Sequence, residues 1–189
     1  MKTRNSVYGN YVHFDVRIAI RLTSIRMKIG IVISPGGHLA QALEVLPAFE
    51  GHEIFLISYK VPNLIGFSDE RIKRVYLVTF IGAKRVRLFI SLLVDLFSYL
   101  RIFLKERPDV LFSTGSEIAI GAFYMGKFLF RSKLIFLETA SRVVDPSLTG
   151  KMLYSISDLF LVQWDTLLRK LGPKAQYKGC VYDLCDDRK

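Results

Sequence analysis

A chain of 189 residues, 51% of them hydrophobic, can bury a full core within one domain and does not have the composition of a disordered polymer. Its formal net charge of +10 calls for acidic partners, but charge alone does not choose among nucleic acid, anionic lipid and phosphorylated substrates. The two cysteines, Cys180 and Cys185, have no second pair and no nearby histidine, which argues against a zinc site or a disulfide framework and fits a reducing cytoplasm.

Met1 to Arg26 holds no apolar run long enough for a signal peptide or a membrane span. Val12, Phe14, Val16, Ile18, Ile20 and Leu22 alternate with mostly polar residues, the period of an amphipathic strand. Met27-Lys28-Ile29-Gly30 reads as a natural start leading into the first core strand. Residues 1–26 are therefore expected to be an upstream extension, either an extra strand or a start-site artefact, ahead of one domain over 27–189.

Ile29 to Leu46, IGIVISPGGHLAQALEVL, joins an apolar run, a glycine-rich turn and apolar residues at helical spacing, which predicts strand, tight loop and helix start. Gly36 and Gly37 allow close approach to the main chain. The unpaired amides of a helix N-terminus, with the positive end of its dipole, suit phosphate or pyrophosphate. His38 falls at that helix start, where the local field favours the neutral ring and makes it a candidate general base. The same turn can equally be a tight connection whose histidine caps local polar groups. It lacks the Gly-Lys-Ser/Thr of a P-loop and the G-x-G-x-x-G of a dinucleotide fold. The second strand ends Ile57-Ser58-Tyr59-Lys60, with no acidic residue for a ribose, so no nicotinamide cofactor is expected.

Strands are predicted over Lys28–Ser34, Glu53–Ser58, Val75–Phe80, Asp109–Ser113, Lys133–Glu138, Leu159–Gln163 and, shortly, Gln176–Tyr182, alternating with helical segments. Continuous apolar strands imply an α/β fold, a Rossmann-like parallel sheet flanked by helices. In such sheets ligands bind beyond the carboxyl ends of the strands, which places Ser34–His38, Thr114–Glu117 and Glu138–Arg142 on one rim.

Across Lys84–Lys105 the polar residues Lys84, Arg87, Ser91, Asp95, Ser98, Arg101 and Lys105 form one narrow helical stripe. The remaining apolar surface exceeds what one sheet face covers, yet the stretch is too interrupted for a span of roughly 20 residues. Basic residues beside an anionic leaflet contribute about 1 kcal/mol each. Peripheral docking on an anionic membrane surface is therefore expected, with Arg85, Arg87, Phe89, Leu93 and Leu96 as contacts. In TGSEIAIGAF, Thr114 or Ser116 is expected to cap a helix and Glu117 to complement its dipole. Glu138 ends the buried strand LIFLE, where a carboxylate needs a partner. Arg142, four positions on, can pair with it or grip a phosphate, and spacing leaves both open.

SPGGHLAQAL, ETASRV, SLTGKMLYSISDLFLVQW and PKAQYKGCVY together resemble the membrane-anchoring subunit of the two-subunit UDP-N-acetylglucosamine transferase of dolichol-linked oligosaccharide synthesis, and its bacterial capsule and exopolysaccharide relatives. The order is also similar to the N-terminal half of the glycosyltransferase that completes the lipid-linked peptidoglycan precursor. The resemblance covers nearly all of Met27–Tyr182 and implies half of a GT-B enzyme, the acceptor-side domain. It implies a separate donor-binding glycosyltransferase subunit as partner, a lipid-diphosphate-linked sugar as acceptor, and no cofactor, metal or nucleic acid. It further implies a peripheral place on the cytoplasmic face of the membrane. By this resemblance Ser34, Gly36 and Gly37 hold the acceptor diphosphate, His38 is the base, and Glu138 and Arg142 position the acceptor or contact the partner. Pro173–Tyr182 is expected to dock the partner, with Gly179–Lys189 dispensable for folding. Eukaryotic members begin with a membrane-spanning helix that Met1–Arg26 does not match, so bacterial or archaeal relatives are the nearer comparison. A self-sufficient nucleotide-sugar enzyme and a non-catalytic membrane scaffold are the alternative readings.

Overall fold

The computed structural model describes residues 26–79 and 85–182, residues 85–95 by their backbone. The alternating stretch Val12–Leu22 lies outside them. Within the described residues the chain runs β1 (Lys28–Val32), α1 (Gly37–Val45), β2 (Glu53–Tyr59), β3 (Ile72–Val78), α2 (Arg85–Glu106), β4 (Val110–Ser113), α3 (Ile118–Leu129), β5 (Lys133–Leu137), α4 (Leu148–Leu153), β6 (Leu159–Val162), α5 (Leu168–Leu171) and β7 (Ala175–Tyr177). The strands form one sheet in the order β3-β2-β1-β4-β5-β6-β7, every pair parallel.

The central strands are apolar throughout because helices or loops cover both faces. Val32, Phe55, Ile57, Leu111, Phe136 and Phe160 pack under α2 and α3, while Ile29, Ile31, Leu56, Phe112, Ile135 and Leu161 pack on the α1 side. Residue 30 must be glycine for this packing, since a Cβ there would lie 2.6 Å from Phe55 Cζ and 2.8 Å from Leu111 Cδ2.

The third strand begins at Ile72 rather than Val75, because it is an edge strand that carries charge. Lys73 pairs with Glu53 at 3.2 Å, and Arg74 bonds Glu53 at 2.5 Å and Glu106 at 2.7 Å. The buried Glu106 also accepts from Tyr76 and faces Lys28. Burial opposes ionisation of Glu106, but hydrogen bonds from Arg74 and Tyr76 and the charges of Arg74 and Lys28 outweigh it and hold the carboxyl below its ordinary range. Burial, followed by the bond to Glu106, pushes the Tyr76 phenol up to about 12. This network ties the C-terminal end of α2 to the β1–β3 side of the sheet.

Helix α2 buries Tyr99, Ile102 and Phe103 and leaves Leu96, Phe97 and Leu104 exposed. The neighbouring α3 exposes Tyr124, Phe128 and Leu129, with Tyr124 and Phe128 stacked at 6.1 Å. Over residues 96–106 α2 thus carries exposed apolar side chains, and the neighbouring α3 carries others. Among the described residues no helix is long and apolar enough to cross a membrane. The side chains of Arg85, Arg87, Phe89 and Leu93 lie outside the described residues.

The cysteine count argued against a disulfide framework and for a reducing compartment, yet Cys180 is disulfide-bonded. The chain's other cysteine, Cys185, lies outside the described residues.

Candidate functional site

The strand order reverses direction between β1 and β4, and the crevice at such a reversal is where open α/β sheets bind ligands. Two loops meet there. After β1, Gly36 adopts φ 88° and ψ −135°, a conformation essentially restricted to glycine, and turns the chain into α1. No side chain caps α1, so the first-turn amides of Gly37, His38 and Leu39 keep their donors for solvent or a ligand. Both glycines are exposed, and nothing lies within 4 Å of where a Cβ would stand on either. The main chain is therefore open to close approach by an anion.

His38 is held across the crevice by the loop after β4. Its Nδ1 lies 2.9 Å from the carbonyl oxygen of Thr114, and Thr114 Oγ1 donates to the His38 carbonyl at 2.9 Å. A carbonyl only accepts, so Nδ1 donates this bond, and in the neutral tautomer it selects the lone pair lies on Nε2. Gly115, at φ +112°, leaves the room the ring occupies: a Cβ there would stand 2.8 Å from His38 Cε1. Sequence reading placed Thr114 on this rim but assigned it, or Ser116, to capping the following helix. Neither caps α3. Thr114 clamps the histidine, and Ser116 sits at φ +85° with its hydroxyl donating to Glu117 at 3.1 Å. A left-handed serine beside the ring is strained backbone of the kind that gathers at ligand sites.

Glu138 follows β5 and is fully buried. Its Oε1 accepts from Thr139 N at 3.1 Å, and its Oε2 accepts from Ser147 N at 3.0 Å and Ser147 Oγ at 3.1 Å. Ser147 Oγ in turn accepts from Gly150 N and caps α4. Of the two roles that spacing left open for Arg142, the pair with Glu138 is not formed. Arg142 N bonds Thr139 O at 3.0 Å in a turn that leaves its side chain exposed, with its charge reaching Asp145. A spacing of four joins two side chains on a helix, whereas this segment is a strand end followed by a turn.

Gln41 and Gln163, both buried and neither singled out within the motifs SPGGHLAQAL and SLTGKMLYSISDLFLVQW that contain them, join the parts of the rim. Gln41 lies one turn after His38 and donates to Thr139 Oγ1 at 3.3 Å. Gln163 donates to the Glu138 carbonyl at 2.9 Å and accepts from Val181 N at 3.0 Å. The segment expected to dock a partner is thus tied down by its own domain, with Val181 packed against the α1-side core. Removing Gly179 onwards would strip that contact and leave Gln163 with an unsatisfied buried oxygen, so Val181 contributes to the fold and the truncation is not neutral to it. A cavity of about 560 Å³ lies between Leu46–Ile54 and Glu70–Lys73, at the amino ends of β2 and β3 and on the edge opposite His38.

A family model described as oligosaccharide biosynthesis protein Alg14 like matches residues 29–181. The chain belongs to this family. The UDP-N-acetylglucosamine transferase subunit ALG14 of Saccharomyces cerevisiae is 25% identical over 204 residues, covering 88% of this chain and 84% of the yeast protein. The subunit of the same name from Rattus norvegicus is 35% identical over 80 residues, covering 40% of this chain and 37% of its own. Among solved structures, Acinetobacter baumannii MurG superposes with a TM-score of 0.57 at 17% identity over 71% of this chain and 41% of its own. Rickettsia bellii UDP-N-acetylglucosamine 2-epimerase gives 0.65 at 16% identity over 87% and 47%. The chain thus spans less than half of each of these solved structures. The likeness confirms the Rossmann-like α/β fold of glycosyltransferases and epimerases of the GT-B type.

Proposed function

We propose that the chain is the acceptor-side subunit of a two-subunit glycosyltransferase that moves a sugar from UDP-N-acetylglucosamine to a lipid-diphosphate-linked acceptor. The observation that carries this reading is the His38 ring, fixed through Nδ1 with Nε2 free, beside an uncapped helix start on an open rim. In the reaction the acceptor hydroxyl attacks the anomeric carbon, the bond from that carbon to the UDP oxygen breaks, and UDP departs with the electron pair. Nε2 of His38 removes the hydroxyl proton. The amides after Gly36 and Gly37 and the hydroxyl of Ser34 hold the acceptor diphosphate, and exposed Arg142 adds a cation at the rim. Glu138 works one step back, holding the loop that carries Arg142.

The relatives are named as transferase subunits, which supports a separate donor-binding partner. Catalysis needs donor and acceptor held in near-attack geometry. Alone, the chain is expected to transfer no sugar. Mixed with a cognate donor-domain protein, it should transfer N-acetylglucosamine from the UDP-sugar to a polyprenyl-diphosphate sugar. Robust transfer by the isolated chain would overturn the reading in favour of a self-sufficient enzyme.

The membrane surface in this reading is the outer face of α2 and α3, with Leu96, Phe97, Leu104, Tyr124, Phe128 and Leu129 toward the lipid and Arg101 and Lys105 beside the headgroups. Arg85, Arg87, Phe89 and Leu93 of the preceding turns belong to the same proposal, which places the complex peripherally on the cytoplasmic face. Replacing exposed Phe97 and Leu104 together by Asp should reduce co-sedimentation with phosphatidylserine vesicles at least tenfold and leave the melting temperature unchanged. Undiminished sedimentation would remove these helices from the membrane contact.

A further inference from the structure

A second exposed apolar group sits on the carboxyl rim, away from the outer face of α2 and α3. Val144 is 62% and Leu148 74% exposed, with Val143 and Met152 beside them also open to solvent. The loop that presents them, between β5 and α4, is fixed rather than loose. Trp164 Nε1 donates to the Ala140 carbonyl at 2.7 Å, Thr166 Oγ1 donates to the Val143 carbonyl, and the buried Glu138 carboxylate holds both the amide and the hydroxyl of Ser147. Lys170 anchors Asp145 at 2.5 Å.

The charge around this knuckle is one-sided. Asp145 is held below the usual carboxylate range by the hydrogen bond and charge of Lys170 and then by the charges of Lys151 and Arg142. Three cations thus surround one carboxylate. Arg142 and Lys151 are exposed and make no ion pair among the described residues.

We infer that this knuckle, Arg142 to Met152, is the docking surface for the donor-binding subunit, which meets it with an apolar patch edged by carboxylates. The inference rests on the two-subunit reading above and gives that partner its place. A bilayer is fluid and gains nothing from apolar side chains held in fixed positions, whereas a protein interface gains affinity when its contact residues are ordered before binding. Interface cores favour Met and Arg among solvent-facing residues, and both are present. The position also fits: Gln41 links this loop to the helix that carries His38, and a body seated here would close the open rim over Gly36 and Gly37.

The test uses the full chain with its cognate donor-domain protein. Val144→Asp and Leu148→Asp should each weaken the pair at least a hundredfold by calorimetry, with unchanged circular dichroism, melting temperature and vesicle binding. Affinity of the parent pair should fall as salt rises. Hydrogen exchange over 139–152 should slow in the complex, a readout that needs no substitution. A parent pair that forms while both variants bind equally well, with no exchange protection here, overturns the placement and leaves the two-subunit reading standing. A parent chain that captures no donor-domain protein overturns both. Loss of vesicle binding in Leu148→Asp, or of a self-association seen in the parent chain, would assign the surface to lipid or to a second copy and overturn the inference.

Discussion

His38→Ala is expected to lower sugar transfer by the reconstituted pair about a hundredfold or more, the usual scale for removing a general base. The half-buried ring belongs to neither hydrophobic cluster, and its side-chain bond goes to a backbone carbonyl. Folding and partner binding should therefore be unchanged by circular dichroism and calorimetry. Turnover within a few-fold of the parent would make the chain a scaffold that only recruits the transferase. Gly115→Ala offers a second approach to the same atom. Its Cβ would stand 2.8 Å from Cε1 at a φ of +112°, so the ring must leave its place, and activity should fall with His38 itself still present.

The sheet was legible because its central strands are buried on both faces and so read as unbroken apolar runs. The two edge strands departed from this: β7 is Ala175–Tyr177 rather than Gln176–Tyr182, and in β3 Lys73 and Arg74 interrupt the run yet serve the fold by pairing with Glu53 and Glu106. The rim followed from the rule for parallel sheets, and it correctly collected the loops of His38, Thr114 and Glu138. The contacts within it were not legible. His38 meets Thr114 from 76 positions away, and Gln163 reaches Gln41 from 122, so no local pattern carries either. For Glu138 and Arg142 spacing left a pair and a phosphate grip both open, and a strand end followed by a turn does not make the pair. Pro173–Tyr182 was expected to dock the partner on the strength of the family resemblance, and no local pattern showed that Val181 within it packs against the chain's own core and bonds Gln163.

Glu138→Ala should destabilise the chain by about 3 kcal/mol, because it leaves three donors, Thr139 N, Ser147 N and Ser147 Oγ, facing a void in a fully buried site. For a chain of this length that corresponds to a melting temperature lower by roughly 6–12 °C. Glu138→Gln keeps the volume but turns an amide NH2 toward donors, so it should recover only part of the loss. Gly150→Ala approaches from the other side, placing a Cβ 2.2 Å from Oε2, and should be at least as damaging. Exposed Arg142→Ala should leave the melting temperature where it is. If Glu138→Ala melts like the parent while transfer collapses, the carboxylate acts on substrate directly and its bracing of Ser147 is incidental. If stability and transfer fall together and Glu138→Gln restores both in part, Glu138 acts by holding the knuckle and the helix start behind it in place.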